Sequence, residues 1–289
     1  MHHKTVKGIL SPKNGMNICR GCTHGCIYCD SRSRCYNMDH DFEDVEIKVN
    51  APQLLEEKLR SKRSRCMIGT GAMSDPYIPI DESLEKTRAC LEVIERYGFG
   101  LAIQTKSSLI LRDIELLTGI NRKAKCVVEM TLTTFDEDLC KIVEPAVCTT
   151  RERFETLKIL KDRGITTVVW FSPILPFIND TPENIRGILD YCAEAWVYGI
   201  INFEMGLTLR EGNREYFYQK LDTHFPGLRT LYETRYGNNY IITSRNNREL
   251  TEYFRKICRE NNIICDNKEI FEFMSTLDNK PKDKQMELF

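Results

Sequence analysis

The sequence predicts an α/β domain built as a partial (β/α)6 TIM-like barrel with a helical C-terminal cap. Two observations carry this expectation. Apolar, β-rich runs alternate with amphipathic helical segments six times in order, and the chain holds no internal repeat beyond that alternation. Right-handed crossovers put helices over a parallel sheet, which leaves a doubly wound sheet or a barrel, and six units favour a barrel that stays open. At 289 residues, 42% of them hydrophobic, the chain is long enough for one large undivided core.

The first strand is read at residues 16–19, followed by buried parallel strands at 66–70, 99–105, 126–134, 166–174 and 200–206. Helical spacing fills 51–64, 81–97, 109–118, 150–163 and 181–196, with Gly98 and Gly164 as stop signals. Several strands end in polar or small residues, as in Gly69-Thr70-Gly71, Gln104-Thr105-Lys106 and Thr131-Leu132-Thr133-Thr134. Parallel barrels gather their catalytic groups at that end, although soluble barrels have polar loops there in any case. From Leu207 the alternation gives way to helical patterns at 214–225 and 248–261, joined by the turn Tyr236-Gly237-Asn238-Asn239-Tyr240. The expected plan is a core at 1–206 containing a cysteine loop at 19–36, a helical cap at 207–277 and a flexible polar tail at 278–289.

The 42 acidic and 41 basic residues leave a formal net charge of −1, so any nucleic-acid contact has to be a local patch. The first ten residues lack a signal-peptide core, and nothing approaches the roughly 18 apolar residues of a membrane span, so the expected location is the cytoplasm, with no membrane contact. Thirteen cysteines are an odd number lying mostly in apolar runs, which argues against a disulfide scaffold. Cys66, Cys90, Cys126, Cys192 and Cys258 read as small buried hydrophobes.

The chemistry concentrates in Gly21-Cys22-Thr23-His24-Gly25-Cys26-Ile27-Tyr28-Cys29, which sets three thiols at CxxxCxxC spacing just after the first strand. Cys22, Cys26 and Cys29 suit three corners of a [4Fe-4S] cluster, whose fourth iron stays open to chelate a molecule carrying amino and carboxylate groups. Cys19 adds a fourth thiol and with it the alternative of structural zinc. Zinc pairs normally stand about a dozen or more residues apart, whereas three residues separate Cys22 from Cys26.

With Tyr28 as the aromatic before the last cysteine, this loop resembles the CxxxCxΦC motif of the radical S-adenosylmethionine (SAM) superfamily. The string from Arg20 to Ser33, Ser74-Asp75-Pro76-Tyr77 and Thr105-Lys106-Ser107 are similar to the spore photoproduct lyase-like branch, over about residues 8–265. The resemblance implies a partial barrel of the radical SAM type and a [4Fe-4S] cluster. It further implies SAM bound at the open iron, an electron donor such as flavodoxin or ferredoxin, and a 5′-deoxyadenosyl radical that takes hydrogen from a substrate. It also matches Tyr28, Ser74, Lys106 and Thr131 to cofactor-contacting positions. Lys106 suits the SAM carboxylate and the hydroxyls its amino or ribose groups; ordinary strand-end capping is the alternative role.

Two departures bear on substrate. The lyases' hydrogen-returning cysteine aligns with Ala72, and the tyrosine after their last cluster cysteine aligns with Asp30; the common Gly-Gly-Glu is replaced by Gly71-Ala72-Met73-Ser74-Asp75. Alanine cannot return a hydrogen atom, which leaves Cys35 or another thiol as a candidate substitute. The resemblance points to a DNA substrate and repair-like chemistry. Radical modification of a peptide or small metabolite, and a noncatalytic zinc-binding adaptor, remain the alternatives.

Other residues carry weaker expectations. Glu129 and Glu204 lie on predicted inner strands, as substrate contacts or ion-pair partners. His24 is expected to face solvent, with cluster tuning as its alternative role, and Lys58, Arg60, Lys62, Arg63 and Arg65 read as a solvated helix end in preference to a phosphate patch. The terminal Gln285-Met286-Glu287-Leu288-Phe289 resembles the QxxLF peptide of sliding-clamp partners, with Gln285, Leu288 and Phe289 as anchors; packing on the barrel is the competing reading.

Overall fold

The chain opens with β1 (His2–Lys4), β2 (Gly15–Met16) and β3 (Cys19–Arg20), and the cysteine loop leads on to β4 (Glu46–Lys48) and α1 (Ala51–Ser61). The alternating core runs β5 (Met67–Thr70), α2 (Asp81–Tyr97), β6 (Gly100–Thr105), α3 (Ile114–Lys123), β7 (Cys126–Thr131), α4 (Glu137–Val143), α5 (Thr150–Asp162), β8 (Thr166–Trp170), α6 (Pro182–Glu194) and β9 (Gly199–Ile201). Then follow β10 (Gly206–Thr208), α7 (Asn213–His224), α8 (Leu228–Tyr236), β11 (Ile241–Thr243), α9 (Asn247–Glu260) and α10 (Asn267–Ser275). The computed structural model describes residues 1–277, so the tail with Gln285, Leu288 and Phe289 lies outside the described residues.

Among the described residues, six parallel strands pair in the order β2-β5-β6-β7-β8-β9. The two end strands do not pair, so the barrel is open as expected. Every residue of β7 is buried, because helices cover its outer face and the barrel interior covers its inner face. Outward-facing Leu101, Ile103, Val128 and Val169 join Leu91 and Ile94 of α2 in the largest apolar cluster. Inward-facing Ala102, Val127, Val168 and Ile201 pack instead on Ile270 and Met274 of α10, which fills part of the open interior. Lys125 Nζ donates to the carbonyls of Phe273 and Thr276 (2.8 and 3.1 Å), satisfying the end of that helix.

Several boundaries differ from the sequence expectation. The strand read at 126–134 stops at Thr131, because the carbonyl of Thr133 turns away to accept from Asn179 and Asn184. The strand read at 166–174 stops at Trp170, short of Pro173, which has no amide hydrogen to give a ladder. Residues 200–206 divide between β9 and β10, the latter pairing antiparallel with β11. The helix read at 109–118 begins as a 3-10 turn (Ser108–Asp113), capped by the Ser107 side chain accepting from the Leu109 amide, and α3 then runs on to Lys123. Among the described residues no helix is long and apolar enough to cross a membrane.

Gly71, just after β5, sits at φ +100°, and a Cβ there would lie 2.0 Å from the carbonyl oxygen of Gln104. Gly71→Ala is therefore expected to destabilise the fold by about 1–3 kcal/mol, read as a lower urea midpoint; an unchanged midpoint would show that this close approach relaxes without strain.

Candidate active site

The cysteine loop curls because Gly21 has φ +86°, in a spot where a Cβ would come within 2.4 Å of the Phe42 carbonyl oxygen. Backbone bonds pin the loop to its surroundings: the Cys22 amide donates to Phe42 O, the Ile27 amide to Val143 O (both 3.0 Å), and the Ala146 amide to His24 O (3.1 Å).

Three side-chain ties add to these. Ser74 Oγ donates to Gly21 O at 2.6 Å. His24 is buried, against the expectation of a solvent-facing histidine, with Nε2 3.2 Å from Asp75 Oδ2 and Nδ1 3.3 Å from Ala146 O. Its burial follows from the partner, since Asp75 also accepts from Thr105 Oγ1 (2.7 Å), the Lys106 amide (2.8 Å) and the Tyr77 amide (2.9 Å). Burial alone would raise the Asp75 carboxyl, but His24 and the Lys106 and Thr105 donors outweigh it and hold it at about 2. On the opposite side Tyr28 OH donates to Glu144, whose other oxygen meets Arg153 Nη1 at 2.5 Å with both side chains fully buried. Burial would raise Glu144, yet Arg153 and Lys106 keep it lowered. Arg153 also donates to Thr131 O (3.1 Å) and Cys148 O, tying the tyrosine to the end of β7.

All seven residues predicted from the sequence, Cys22, Cys26, Cys29, Tyr28, Ser74, Lys106 and Thr131, line one cleft at the carboxyl ends of the strands. Besides the thiols, two of them have a side-chain polar group with no hydrogen bond or ion pair among the described residues. Thr131 Oγ1 is buried with no hydrogen bond. Lys106 Nζ, 5.8 Å from the centre of the Tyr28 ring, makes no hydrogen bond or ion pair among the described residues. Burial lowers this lysine, but Cys26 and Glu144 raise it by more, so it stays charged. Burial pushes the Cys22 thiol up to about 12, with Asp75 adding to the rise, and lifts Cys26 well above its ordinary range. Such thiols ionise when a positive centre binds them. Three convergent thiols, an orphaned hydroxyl and an unpaired cation fit a cluster carrying a zwitterionic ligand.

Cys19 stands apart, its Sγ 3.2 Å from Ser83 Oγ and off the cleft wall. Among the described residues, the donor groups close enough to share a single ion are His2, His40 and Asp44, and Asp39, His40 and Glu46; the three cluster thiols are spaced more widely, as a cubane needs and a single tetrahedral ion does not.

The cleft opens at Ala72 into two larger cavities, about 640 Å³ inside the barrel and about 660 Å³ across its mouth. Exposed Glu204 lines the second. Glu129 lines the first, 7% exposed, with no cation partner among the described residues; its Oε2 accepts from Trp170 Nε1 at 2.6 Å. Burial raises its carboxyl to about 7, the indole bond opposing. Cys35 is exposed beside Arg210 (3.2 Å) and lines neither the cleft nor the two cavities, so it does not come to Ala72. Asp30 instead accepts from Tyr36 OH at 2.7 Å. The basic run at the end of α1 is largely exposed and away from these cavities. Sequence reading missed the Glu144–Arg153 pair and the anchoring role of Asp75, whose one signal was its place in Ser74-Asp75-Pro76-Tyr77.

Two outcomes follow. Glu144→Gln leaves Arg153 buried and unpaired, so urea unfolding should show a loss of about 3–5 kcal/mol; a loss below about 1 kcal/mol would mean that Arg153 finds other partners. Glu129 keeps its proton in the fold, so the stability it contributes is present below the ordinary carboxylate value of 4.5 and lost as pH rises through about 7. Glu129→Gln should therefore match the wild type near pH 4.5 and exceed it at pH 8 by up to about 3 kcal/mol; equal stability at pH 8 would place the carboxylate in a solvated setting.

Comparison with known proteins agrees with this geometry. The family model described as the radical SAM superfamily matches residues 16–192. An uncharacterised protein of Mycobacterium tuberculosis is 28% identical over 227 residues, covering 76% of this chain and 66% of its own length, so the chain spans just under two thirds of that relative. Spore photoproduct lyase with bound AdoMet and dinucleoside spore photoproduct superposes with a TM-score of 0.57 at 15% identity, over 84% of this chain and 72% of its own. A radical SAM methyltransferase from Kitasatospora setae, with cobalamin and a [4Fe-4S] cluster bound, gives 0.59 at 12% identity over 88% of this chain and 54% of its own. These likenesses establish a spore photoproduct lyase-like fold. The chain belongs to the radical SAM superfamily.

Proposed function

We propose that this enzyme directs its radical chemistry at a nucleic acid. One observation carries the reading: the cleft lined by the three thiols, Lys106 and Thr131 opens at Ala72 into cavities walled by aromatic and largely uncharged groups. Such walls suit a base better than a charged metabolite. The spore photoproduct lyase whose structure holds a dinucleoside shares the fold and supports the same reading.

In this assignment Cys22, Cys26 and Cys29 hold the cluster, which when bound supplies the electron that cleaves SAM to its 5′-deoxyadenosyl radical. The chain's own groups bind and orient. Lys106 Nζ takes the SAM carboxylate, Thr131 Oγ1 takes an amino or ribose group, and Ser74, already donating to Gly21 O, holds the loop in place. Dimer reversal by the lyases' own thiol relay is not part of the proposal, because Ala72 carries no transferable hydrogen and Cys35 lies elsewhere. A near-zero net charge, with Lys13 the one basic residue on the inner cavity's wall among the described residues, favours a second reading, modification of a small neutral metabolite or peptide by the same barrel.

Anaerobic reconstitution with dithionite and SAM, followed by quantification of 5′-deoxyadenosine, tests both. The wild type should form it, Cys26→Ala should not, Lys106→Ala should need about tenfold more SAM, and a single-stranded oligonucleotide should raise the rate. No product from a fully loaded cluster, even with oligonucleotide, would contradict the assignment; product indifferent to oligonucleotide would favour the second reading.

A further inference from the structure

We propose that the inner cavity is a pocket for one unstacked nucleobase, which stacks on Trp170 and presents its hydrogen-bonding edge to Gln104 and Glu129. The inference rests on the nucleic-acid reading and names the groups that would recognise the substrate.

Gln104 on β6 and Glu129 on β7 are direct register partners, so their side chains leave the same face one strand spacing apart. Both line the cavity of about 640 Å³, within the roughly 300–1,000 Å³ of ordinary ligand sites. The Gln104 carboxamide has no hydrogen bond among the described residues, and Glu129, nine-tenths buried on the cavity wall, bonds through Oε2 to Trp170 alone, which leaves Oε1 without a partner among them. Gln104 is half-buried, and polar groups left unpaired on a cavity wall mark where a ligand's own polar atoms belong. A carboxamide beside a carboxyl that burial shifts toward its protonated form offers donors and acceptors from both strands, which matches the lactam or amidine edge of a base.

The aromatic wall gives the second half of the match. Trp170 reaches both large cavities and packs at 5.8 Å against Phe203 and 6.0 Å against Phe271, centre to centre. Phe203 is 57% exposed and Phe271 38% exposed, an apolar surface that a soluble fold leaves open where something docks. Besides Glu129, the charged group on the cavity wall is Lys13, which is itself exposed. A neutral ring therefore fits inside, with the phosphates left outside near that lysine. The pocket reaches Ala72, so a base held there lies against the same wall as the radical-generating cleft.

The chain has two tryptophans, and Trp196, 75% exposed, lies off all three cavity walls. Trp196→Phe thus makes Trp170 the sole indole reporter. In the anaerobically reconstituted Trp196→Phe protein, thymidylyl-thymidine should quench Trp170 saturably. Added Gln104→Ala or Glu129→Ala should weaken that binding about tenfold, while Glu129→Gln, which keeps a donor and an acceptor, should retain it. Urea midpoints near the parent's establish that each variant is folded. Binding of a labelled oligonucleotide seen by anisotropy, with Trp170 emission unchanged, would overturn the pocket and leave the nucleic-acid reading standing. Quenching by a tryptophan-free peptide without oligonucleotide binding, or no binding of any probe, would overturn both.

Discussion

One buried carboxylate holds the active end of this barrel together. Asp75 accepts from the Thr105 hydroxyl and the amides of Lys106 and Tyr77, and lies 3.2 Å from His24 Nε2, so it joins the cysteine loop, the turn after β5 and the end of β6 at a single point. An unsatisfied carboxylate at such depth would be strongly unfavourable, so the group is tolerated only when every donor is in place. Its neighbours inherit that precision. Ser74 is placed to hold Gly21, and Lys106 is placed on the cleft wall with its backbone fixed and its Nζ 5.8 Å from the centre of the Tyr28 ring.

A second clamp works from the opposite side, where Tyr28 OH, Glu144 and Arg153 form a chain that ends on the carbonyls of Thr131 and Cys148. Buried ion pairs are weak contributors to net stability, and the value of this one is geometric: it ties Tyr28 of the loop to the end of β7. Thr131 Oγ1 beside the cleft, and the Gln104 carboxamide and one Glu129 oxygen beside the inner cavity, have no hydrogen-bond partner among the described residues, and Thr23 Oγ1 of the loop itself is likewise buried without one.

Much of this was legible in the sequence, for reasons that are local. The strand order follows from alternating apolar runs, and the gathering of Cys22, Cys26 and Cys29 in one loop follows from their spacing. Ser74, Lys106 and Thr131 stand just past or at the ends of strands whose carboxyl ends must converge in any parallel barrel. What could not be read is non-local. Tyr28 and Glu144 lie 116 residues apart, and no periodicity announces their bond. His24 looked like a polar loop residue, because nothing near it in the chain reveals that Asp75 folds over it. Glu129 was visible on an inner strand, but its partner Trp170 comes from the next βα unit. The short strands β1, β3 and β4 are two or three residues long, too short for any alternation to register.

The central claim is that three thiols, and not four, hold the cluster, so that one iron stays open beside Lys106. Electron paramagnetic resonance of the reduced, anaerobically reconstituted protein tests this directly, with spectra recorded before and after SAM for the wild type and for Cys19→Ala. The account predicts a [4Fe-4S] signal that SAM shifts, alike in both proteins. A signal indifferent to SAM in the wild type, or a cluster lost with Cys19, would show a closed four-thiolate site and contradict it.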